Sequence, residues 1–273
     1  MKRNKSVFLS VPYIIFMVIF TLIPLGVVGY YALTDPDTGA FSFDNLKDLS
    51  VYLPVLGQSV GYSLISAVIC LILGYPVAYY ISHRSEAVQK ILYMLVMLPM
   101  CMSFLLRTLA WVGLLQDTGI INNFLEWIGI GRLRLIRTPG AVVLGMVYNY
   151  LPYMILPLYA TLVKLDRRLI EAAEDLGCTP VQTFAKVVLP LSVPGILSGI
   201  TMVFVPAVST FYISQKLGGT DTVLIGDLIE RLFKQSANRN LGATLSLVLM
   251  ALVFICTGIM NRFGGDEEGG VVV

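Results

Sequence analysis

The stretch EAAEDLGCTPVQTFAKVVLP, which runs from Glu171 to Pro190, is charged and helix-favouring, although it lies between two long apolar segments. Just before it, Asp166 is a candidate N-cap, and within it Gly177 is a candidate helix stop because glycine tolerates a left-handed backbone. Between these two positions, apolar residues recur at helical spacing, at Leu169, Ala172, Ala173 and Leu176. The pattern predicts a short amphipathic helix that ends at the glycine.

A second helix start follows directly after this glycine. Thr179 and Gln182 have the spacing of a capping box, and Pro180 occupies the first helical position. An apolar stripe then leads to Pro190 and consists of Val181, Phe184, Ala185 and Val188. We therefore expect two short helices joined by a sharp bend. Periodicity leaves two uses open, because such a hairpin either docks another protein or lies over the membrane helices of its own chain.

Composition places this stretch within a membrane protein. Of the 273 residues, 56% are hydrophobic and 13% are charged, a balance outside the soluble norm. A spanning helix needs about 20 mostly apolar residues. Six segments reach that length, near 7–33, 59–82, 91–115, 141–163, 189–213 and 241–261. The prediction is one all-α polytopic domain over residues 1–273, with six transmembrane helices and a loop at 164–188 that carries the charged stretch.

The distribution of basic residues favours one orientation, since cytoplasmic loops are enriched in lysine and arginine. Basic residues lie directly before the first span and after the fourth, at Lys2, Arg3, Lys5, Lys164, Arg167 and Arg168. The loop after the first span is acidic, whereas Arg132, Arg134 and Arg137 stand against the rule. We predict that both termini and the 164–188 loop are cytoplasmic.

The same composition disfavours several classes of function. The net charge of +2 gives no indication of nucleic-acid binding. The four cysteines form no CxxC pair and His83 is the single histidine, so neither a disulfide framework nor a metal site is expected. No nucleophile–base pair is evident in the apolar segments, and no catalytic residue is predicted.

The charged stretch also matches an ordered family pattern of EAA, three residues, Gly, nine residues and I-x-LP. The matching positions are Glu171, Ala172, Ala173, Gly177, Leu189 and Pro190, with Val187 in place of the usual isoleucine. In this pattern the chain resembles the membrane subunits of binding-protein-dependent ABC importers of the type I fold. The resemblance implies that the 164–188 loop is a pair of coupling helices seated in a groove of a separate ATPase, with these matching positions as coupling residues.

The resemblance further implies a set of partners in the inner membrane of a bacterium. They are a second, similar permease subunit, two copies of an ABC ATPase, an extracytoplasmic binding protein and the lipid bilayer itself. This chain lacks GxxxxGK[ST], the loop that cradles ATP phosphates, so we expect ATP and magnesium to be bound by the ATPase subunits and no cofactor in this chain.

The cargo is suggested by three longer stretches, LGYPVAYYIS, YNYLPYMILPLYATLVKLDRRLIEAAEDLG and FYISQKLGGTDTVLIGDLI. They resemble the family members that import spermidine and putrescine, and this resemblance implies a polyamine-binding partner outside the membrane. An extended polycation crossing a low-dielectric layer needs carboxylates, dipoles or aromatic faces. Candidate path residues are Tyr148, Asn149, Tyr153, Phe211, Tyr212 and Asp221. The tyrosines also fit an interfacial aromatic belt, and Asn149 an interhelical hydrogen bond.

One departure affects the cargo assignment. Polyamine permeases that align here carry acids in patterns like E-F-x-x-x-D-L-x-G-G, whereas this chain has Thr210 and Gln215. Asp227 and Glu230 lie nearby, but the apolar spacing around them predicts an amphipathic helix with these acids on its solvated face.

Two further features of the spans bear on packing. Arg107 lies in the third predicted span, close enough to its outer end to snorkel, and a carboxylate or carbonyl partner that fixes helix packing is expected. Gly195 and Gly199 have a GxxxG spacing that admits a close neighbour, either within this chain or in another subunit.

Two rival functions remain open at this stage. An ABC permease for another small solute, such as an anion or a ferric complex, would share the coupling loop. A secondary transporter driven by an ion gradient would instead require several acids within the spans, and the sequence does not offer them.

Overall fold

The computed structural model describes residues 12–35, 40–42, 49–220, 222–234 and 238–264. Over these residues the chain forms twelve helices. They are α1 Pro12–Ala32, α2 Leu49–Ser82, α3 Glu86–Met97, α4 Phe104–Leu115, α5 Ile120–Trp127, α6 Pro139–Leu162, α7 Arg167–Asp175, α8 Pro180–Leu191, α9 Val193–Val208, α10 Tyr212–Leu217, α11 Ile225–Lys234 and α12 Arg239–Gly264.

The predicted all-α membrane fold is confirmed. Five segments of the described chain are long and apolar enough to cross a membrane, namely α1, α2, α6, most of α12, and Phe104–Trp127, which comprises α4 and α5. The pair α8 and α9, bent by 63°, provides a sixth crossing if it forms one span. Six spans agree with the sequence prediction, but two of them differ from it internally.

The third predicted span, 91–115, is not a continuous helix. A 3₁₀ turn at Leu98–Cys101 separates α3 from α4. Pro99 in this turn lacks an N–H group, and the backbone is extended at Met102 and Ser103, with ψ of 148° and 131°. The apolar run continues through the break, so hydropathy alone did not reveal it.

The fifth predicted span, 189–213, is bent at its start and shorter at its end. Its first three residues belong to α8, and the bend follows at Ser192. The second residue of α9 is a proline, which cannot donate a hydrogen bond to the preceding turn. At the other end α9 stops at Val208, so Phe211 and Tyr212 lie beyond the span, with Tyr212 opening a separate short helix.

The chain divides into two compact units. They are Met1–Pro54 with Leu228–Leu252, and Val55–Asp227 with Val253–Val273. In the first unit, the side chains of Asn240 and Thr244 on α12 donate hydrogen bonds to the carbonyls of Thr34 and Ala32. These bonds satisfy backbone acceptors at and just beyond the end of α1, where no helical partner exists.

In the second unit, α6 forms the centre of the core. Its side chains Val142, Met146, Met154 and Leu158 are fully buried. Small residues of α2 allow that helix to approach, and Gly74 leaves room for Met154, whose side chain lies 3.2 Å from the position a Cβ would take. Since lipid tails are as apolar as these side chains, dispersion contacts of this kind hold membrane helices together.

The most extensive helix contact on this core joins α6 and α9. A Cβ added to Gly195 would lie 2.6 Å from the hydroxyl of Thr161 and 3.1 Å from the carbonyl of Pro157. A Cβ added to Gly199 would lie 2.6 Å from the sulfur of Met154. The GxxxG spacing therefore serves packing within this chain, which was one of its two predicted uses.

Replacing Gly195 by valine should lower the stability of the protein by about 1–3 kcal/mol, because the new side chain overpacks the α6–α9 contact. Gly113→Val is the matched control, since Gly113 is also helical but a Cβ there meets nothing within 4 Å. Thermal unfolding of both variants in detergent measures the difference. Equal midpoints would show that the α6–α9 contact can relax around the added side chain.

Candidate functional site

The loop after α6 begins with the capped helix that the sequence predicts. The Asp166 carboxylate accepts a hydrogen bond of 3.0 Å from the backbone N–H of Arg168. At the other end Gly177 has a φ of 84°, the N–H of Gly177 bonds to Glu174 at 2.9 Å, and the N–H of Cys178 bonds to Ala173 at 3.1 Å. This pair of bonds is the Schellman arrangement that stops a helix at a left-handed glycine. The predicted cap and stop are confirmed.

The second helix also begins as predicted, and it continues past Pro190. Thr179 and Gln182 form a reciprocal capping box with Pro180 at the first helical position. The chain then widens into a π turn at Phe184–Val188 and stays helical to Leu191. A proline ring is accommodated there because the wider turn precedes it directly.

Much of the predicted apolar stripes of these two helices is exposed. Leu169, Leu176 and Val181 are 48%, 86% and 76% exposed, and Ala185 is exposed as well. Of the predicted first stripe only Ala173 is buried. Leucines at such exposure are costly in water, so the surface is suited to a partner, which is one of the two uses that periodicity leaves open.

The predicted coupling residues therefore fall into two sets. One set is exposed and contains Glu171, Ala172, Gly177, Leu189 and Pro190. Ala173 is the exception, with 8% of its surface exposed, and it also supplies a carbonyl to the helix stop. The exposed part of the loop therefore carries both an acidic side chain, Glu171, and apolar ones.

The inner side of the loop is anchored to α2 by aromatic and hydroxyl groups. The ring of Phe184 makes edge contacts with Tyr75 and Tyr79, each with 5.5 Å between ring centroids. The Tyr75 hydroxyl lies 2.8 Å from the Ser192 hydroxyl, which is fully buried at the bend between α8 and α9. Sequence reasoning missed these anchors, because a contact across 117 positions leaves no periodic pattern.

A second anchor joins the start of α3 to the end of α6. The amide of Gln89 donates to the carbonyls of Ser82 and Arg84 at 3.1 and 2.8 Å, and its oxygen accepts from the Tyr159 hydroxyl at 3.1 Å. Gln89 is buried, so these bonds replace water that the amide would otherwise bind. Gln89 thus links the end of α6, which leads into the loop, to the turn between α2 and α3.

Of the candidate path residues on α6, the two tyrosines are exposed and the asparagine is buried. Tyr148 and Tyr153 are 37% and 36% exposed, and Tyr148 packs edge-on against Trp111. Asn149 is buried, with its nitrogen donating to the carbonyl of Gly145 at 2.8 Å and its oxygen without a partner among the described residues. A buried acceptor in this position is open to a donor from outside the described chain.

The other candidate path residues lie around α10. Phe211 is 43% exposed, while Tyr212 packs near Phe104 and already has the ammonium of Lys216 at 5.7 Å from its ring centroid. A cation over this ring opposes the binding of a second one, so Tyr212 is a poor stacking site for a polycation. Asp221 lies outside the described residues.

Asp227 departs from the sequence prediction. It is 1% exposed and its carboxylate accepts a hydrogen bond of 2.8 Å from the amide of Gln215, so it is not on a solvated helix face. The reason is the neighbouring glycine, since a Cβ at Gly226 would lie 2.6 Å from the carbonyls of Ser209 and Thr210. This close approach presses the start of α11 against the end of α9 and carries the carboxylate inside.

Arg107 likewise differs from expectation. Its side chain is 7% exposed and does not snorkel outward, and Nε and Nη1 have no hydrogen-bond partner among the described residues. The expected carboxylate or carbonyl partner is absent from that part of the chain.

Comparison with known proteins adds the decisive observation. The description "Binding-protein-dependent transport system inner membrane component" matches residues 71–263, which include the whole two-helix loop. The chain belongs to this family. The type I ABC importer permease fold that the resemblance implied is confirmed.

The permease is similar to several proteins named spermidine/putrescine transport system permease protein PotB. It is 36% identical over 242 residues to PotB of Escherichia coli K12, covering 85% of this chain and 88% of that protein. It is 38% identical over 249 residues to PotB of Haemophilus influenzae, covering 87% of each.

Solved structures of ABC importers share the permease fold. A bacterial ABC transporter involved in the import of the acidic polysaccharide alginate matches with a TM-score of 0.80 at 20% identity, covering 97% of this chain and 98% of that one. The MetNI methionine ABC transporter matches with a TM-score of 0.61 at 16% identity, covering 79% and 95%. At these identities the likeness concerns the fold.

Gly177→Val should uncouple the permease, because a β-branched residue at a φ of 84° costs about 1–2 kcal/mol and shifts the bend between α7 and α8. A Cβ at this position meets nothing within 4 Å, so the effect comes from the backbone alone. We expect transport to fall about 5- to 30-fold while ATP hydrolysis by the assembled complex persists.

Gly177→Asn is the matched control, since asparagine tolerates the left-handed region and should retain most transport. The ratio of cargo moved to ATP hydrolysed is measured for both variants. If the valine variant transports as well as the asparagine variant, the geometry of the bend does not matter for coupling.

Proposed function

We propose that this chain is one of two membrane subunits of an ATP-driven importer and that its α7–α8 loop receives the motion of the ATPase. The observation that carries this proposal is the exposure of Leu169, Leu176 and Val181 on the loop, in a segment where Glu171 is exposed as well. Apolar side chains at such exposure are stabilised when a partner covers them. The family to which the chain belongs supplies the class of partner.

The base of the loop explains how motion would reach the membrane helices. Thr161 near the end of α6 touches Gly195 near the start of α9, and Ser192 between them bonds to Tyr75 of α2. A push on α7 and α8 would therefore act on three spans together rather than on the loop alone. Closing of the two ATPases would turn the cargo cavity between the two permease subunits outward. Loss of ATP would let that cavity face inward.

The proposed assembly contains a second, similar permease subunit, two copies of an ABC ATPase and an extracytoplasmic binding protein. Both termini and the α7–α8 loop lie in the cytoplasm in this arrangement, and the chain is a multi-pass protein of a bacterial inner membrane. ATP and magnesium are bound by the ATPase subunits, so this chain contributes coupling rather than chemistry.

The proposed cargo is a polyamine such as spermidine or putrescine. The names of the relatives support it, and so does the buried carboxylate of Asp227. The family pattern places an acid at position 215, where this chain has glutamine, yet the Gln215 amide donates directly to Asp227. The negative charge that the pattern seemed to lack is thereby supplied from α11 at the same place.

An anion is the rival cargo, and one observation favours it. Arg107 presents a buried guanidinium whose Nε and Nη1 have no partner among the described residues. A secondary transporter is disfavoured, because in the described part of the chain the buried carboxylate is Asp227, which lies in α11 outside the candidate spans.

Uptake by the complex reconstituted in vesicles tests the proposal. Labelled spermidine should accumulate only when ATP is hydrolysed and the binding protein is present. Uptake driven by a proton gradient without ATP would contradict the importer assignment. A binding protein that prefers sulfate to spermidine would instead transfer the assignment to the anion rival.

A charge swap tests the role of Asp227 in cargo binding. Asp227→Asn should raise the KM for spermidine about 10- to 100-fold, because a charge-assisted hydrogen bond is worth roughly 1.5–3 kcal/mol. The double variant Gln215→Asp with Asp227→Asn returns the carboxylate to the other partner of the same 2.8 Å bond and should restore uptake. If the double variant folds and hydrolyses ATP normally but does not regain spermidine uptake, Asp227 serves helix packing rather than cargo binding.

A further inference from the structure

A cavity of about 530 Å³ opens beside the base of the α7–α8 loop. The segment from Ser82 to Lys90 forms one wall, and the other is built from the end of α6 and from Ile170 and Val188 of the loop. The first wall is polar and charged and the second is largely apolar. The cavity is therefore suited to a ligand with a charged part and an apolar part.

The polar wall has an excess of cationic groups that other side chains do not neutralise. The guanidinium of Arg84 lies 4.1 Å from the ring centroid of Tyr80, a contact that orients it without cancelling its charge. Lys90 forms no salt bridge with any described residue, although Glu86 stands one helical turn before it. His83 uses Nδ1 on the carbonyl of Tyr79 at 2.9 Å, which leaves Nε2 for another group.

The surroundings of this wall belong to the edge of a membrane rather than to open water. Tyr80 is 54% exposed at the end of α2, where an aromatic ring marks the interface of a span. The face of Lys90 continues through Met94 on α3 to Leu98 at the start of the 3₁₀ turn, and these two side chains are 71% and 58% exposed. Spacings of four and eight residues place the ammonium at the head of an apolar strip.

We propose that this cavity binds a phosphate-bearing anion between Arg84 and Lys90, with the headgroup of an acidic membrane phospholipid as its favoured source. The phosphate binds the guanidinium of Arg84 and the ammonium of Lys90. An acyl chain then packs along the apolar strip from Lys90 to Leu98. Glu86 opposes the anion and limits its affinity. Because the apolar wall includes Ile170 of α7, the bound headgroup braces the α2–α3 turn against the loop.

Native mass spectrometry of the full-length chain in a neutral detergent, titrated with phosphatidylglycerol or phosphatidylcholine, measures this binding directly. We expect preference for phosphatidylglycerol, and a loss of affinity of about fivefold for each of Arg84→Ala and Lys90→Ala. Glu86→Gln should act in the opposite direction and strengthen binding. Lys164→Ala is the matched control, because Lys164 carries the same charge at the same end of α6 but does not line the cavity.

Inorganic phosphate distinguishes the two sources of the ligand. If millimolar phosphate binds without lipid, and Arg84→Ala and Lys90→Ala abolish it, the site takes soluble phosphate. If phosphate does not compete, the headgroup with its chains is the ligand. Binding of phosphatidylglycerol that is unchanged in the Arg84→Ala/Lys90→Ala double variant, or equally reduced by Lys164→Ala, overturns the proposal. None of these measurements involves transport, so their outcome is independent of the cargo and of the coupling role.

Discussion

The contact between α6 and α9 is the interaction on which the functional loop depends. The chain leaves the membrane at the end of α6, forms two exposed helices and returns at the start of α9. Thr161 and Gly195 touch at the base of this excursion, so its two ends are fixed relative to each other. A loop closed in this way can move only with the spans that carry it. Gly195 is required because any side chain at that position would push the end of α6 away from the start of α9.

The caps of the loop could be predicted from sequence because each is decided within a few residues. Asp166, Gly177 and the Thr179–Gln182 pair act on backbone groups no more than four positions away, and their geometry agrees with the pattern. The orientation of the apolar side chains could not be predicted in the same way. Periodicity finds an apolar face, but it does not say whether the chain itself or a partner covers that face.

Non-local contacts account for the remaining differences between sequence and structure. Asp227 is buried because Gly226 approaches two carbonyls just beyond the end of α9, a helix that ended 18 positions earlier, and the local sequence pattern does not indicate that contact. The break at Pro99 is hidden by the apolar residues on either side of it. Arg107 points inward although its position along the span would have allowed it to snorkel. In each case the deciding atom belongs to another element or to the backbone.

The π turn at Phe184–Val188 changes how the family pattern should be understood. It lies inside the fixed interval between the glycine and the Leu-Pro pair, and a π turn holds about one residue more than an α turn. One extra residue rotates everything after it by about 100° around the helix axis. The constant length of that interval therefore encodes a direction as well as a distance. A permease with one residue deleted there would keep every letter of the pattern while aiming its second half at a different neighbour.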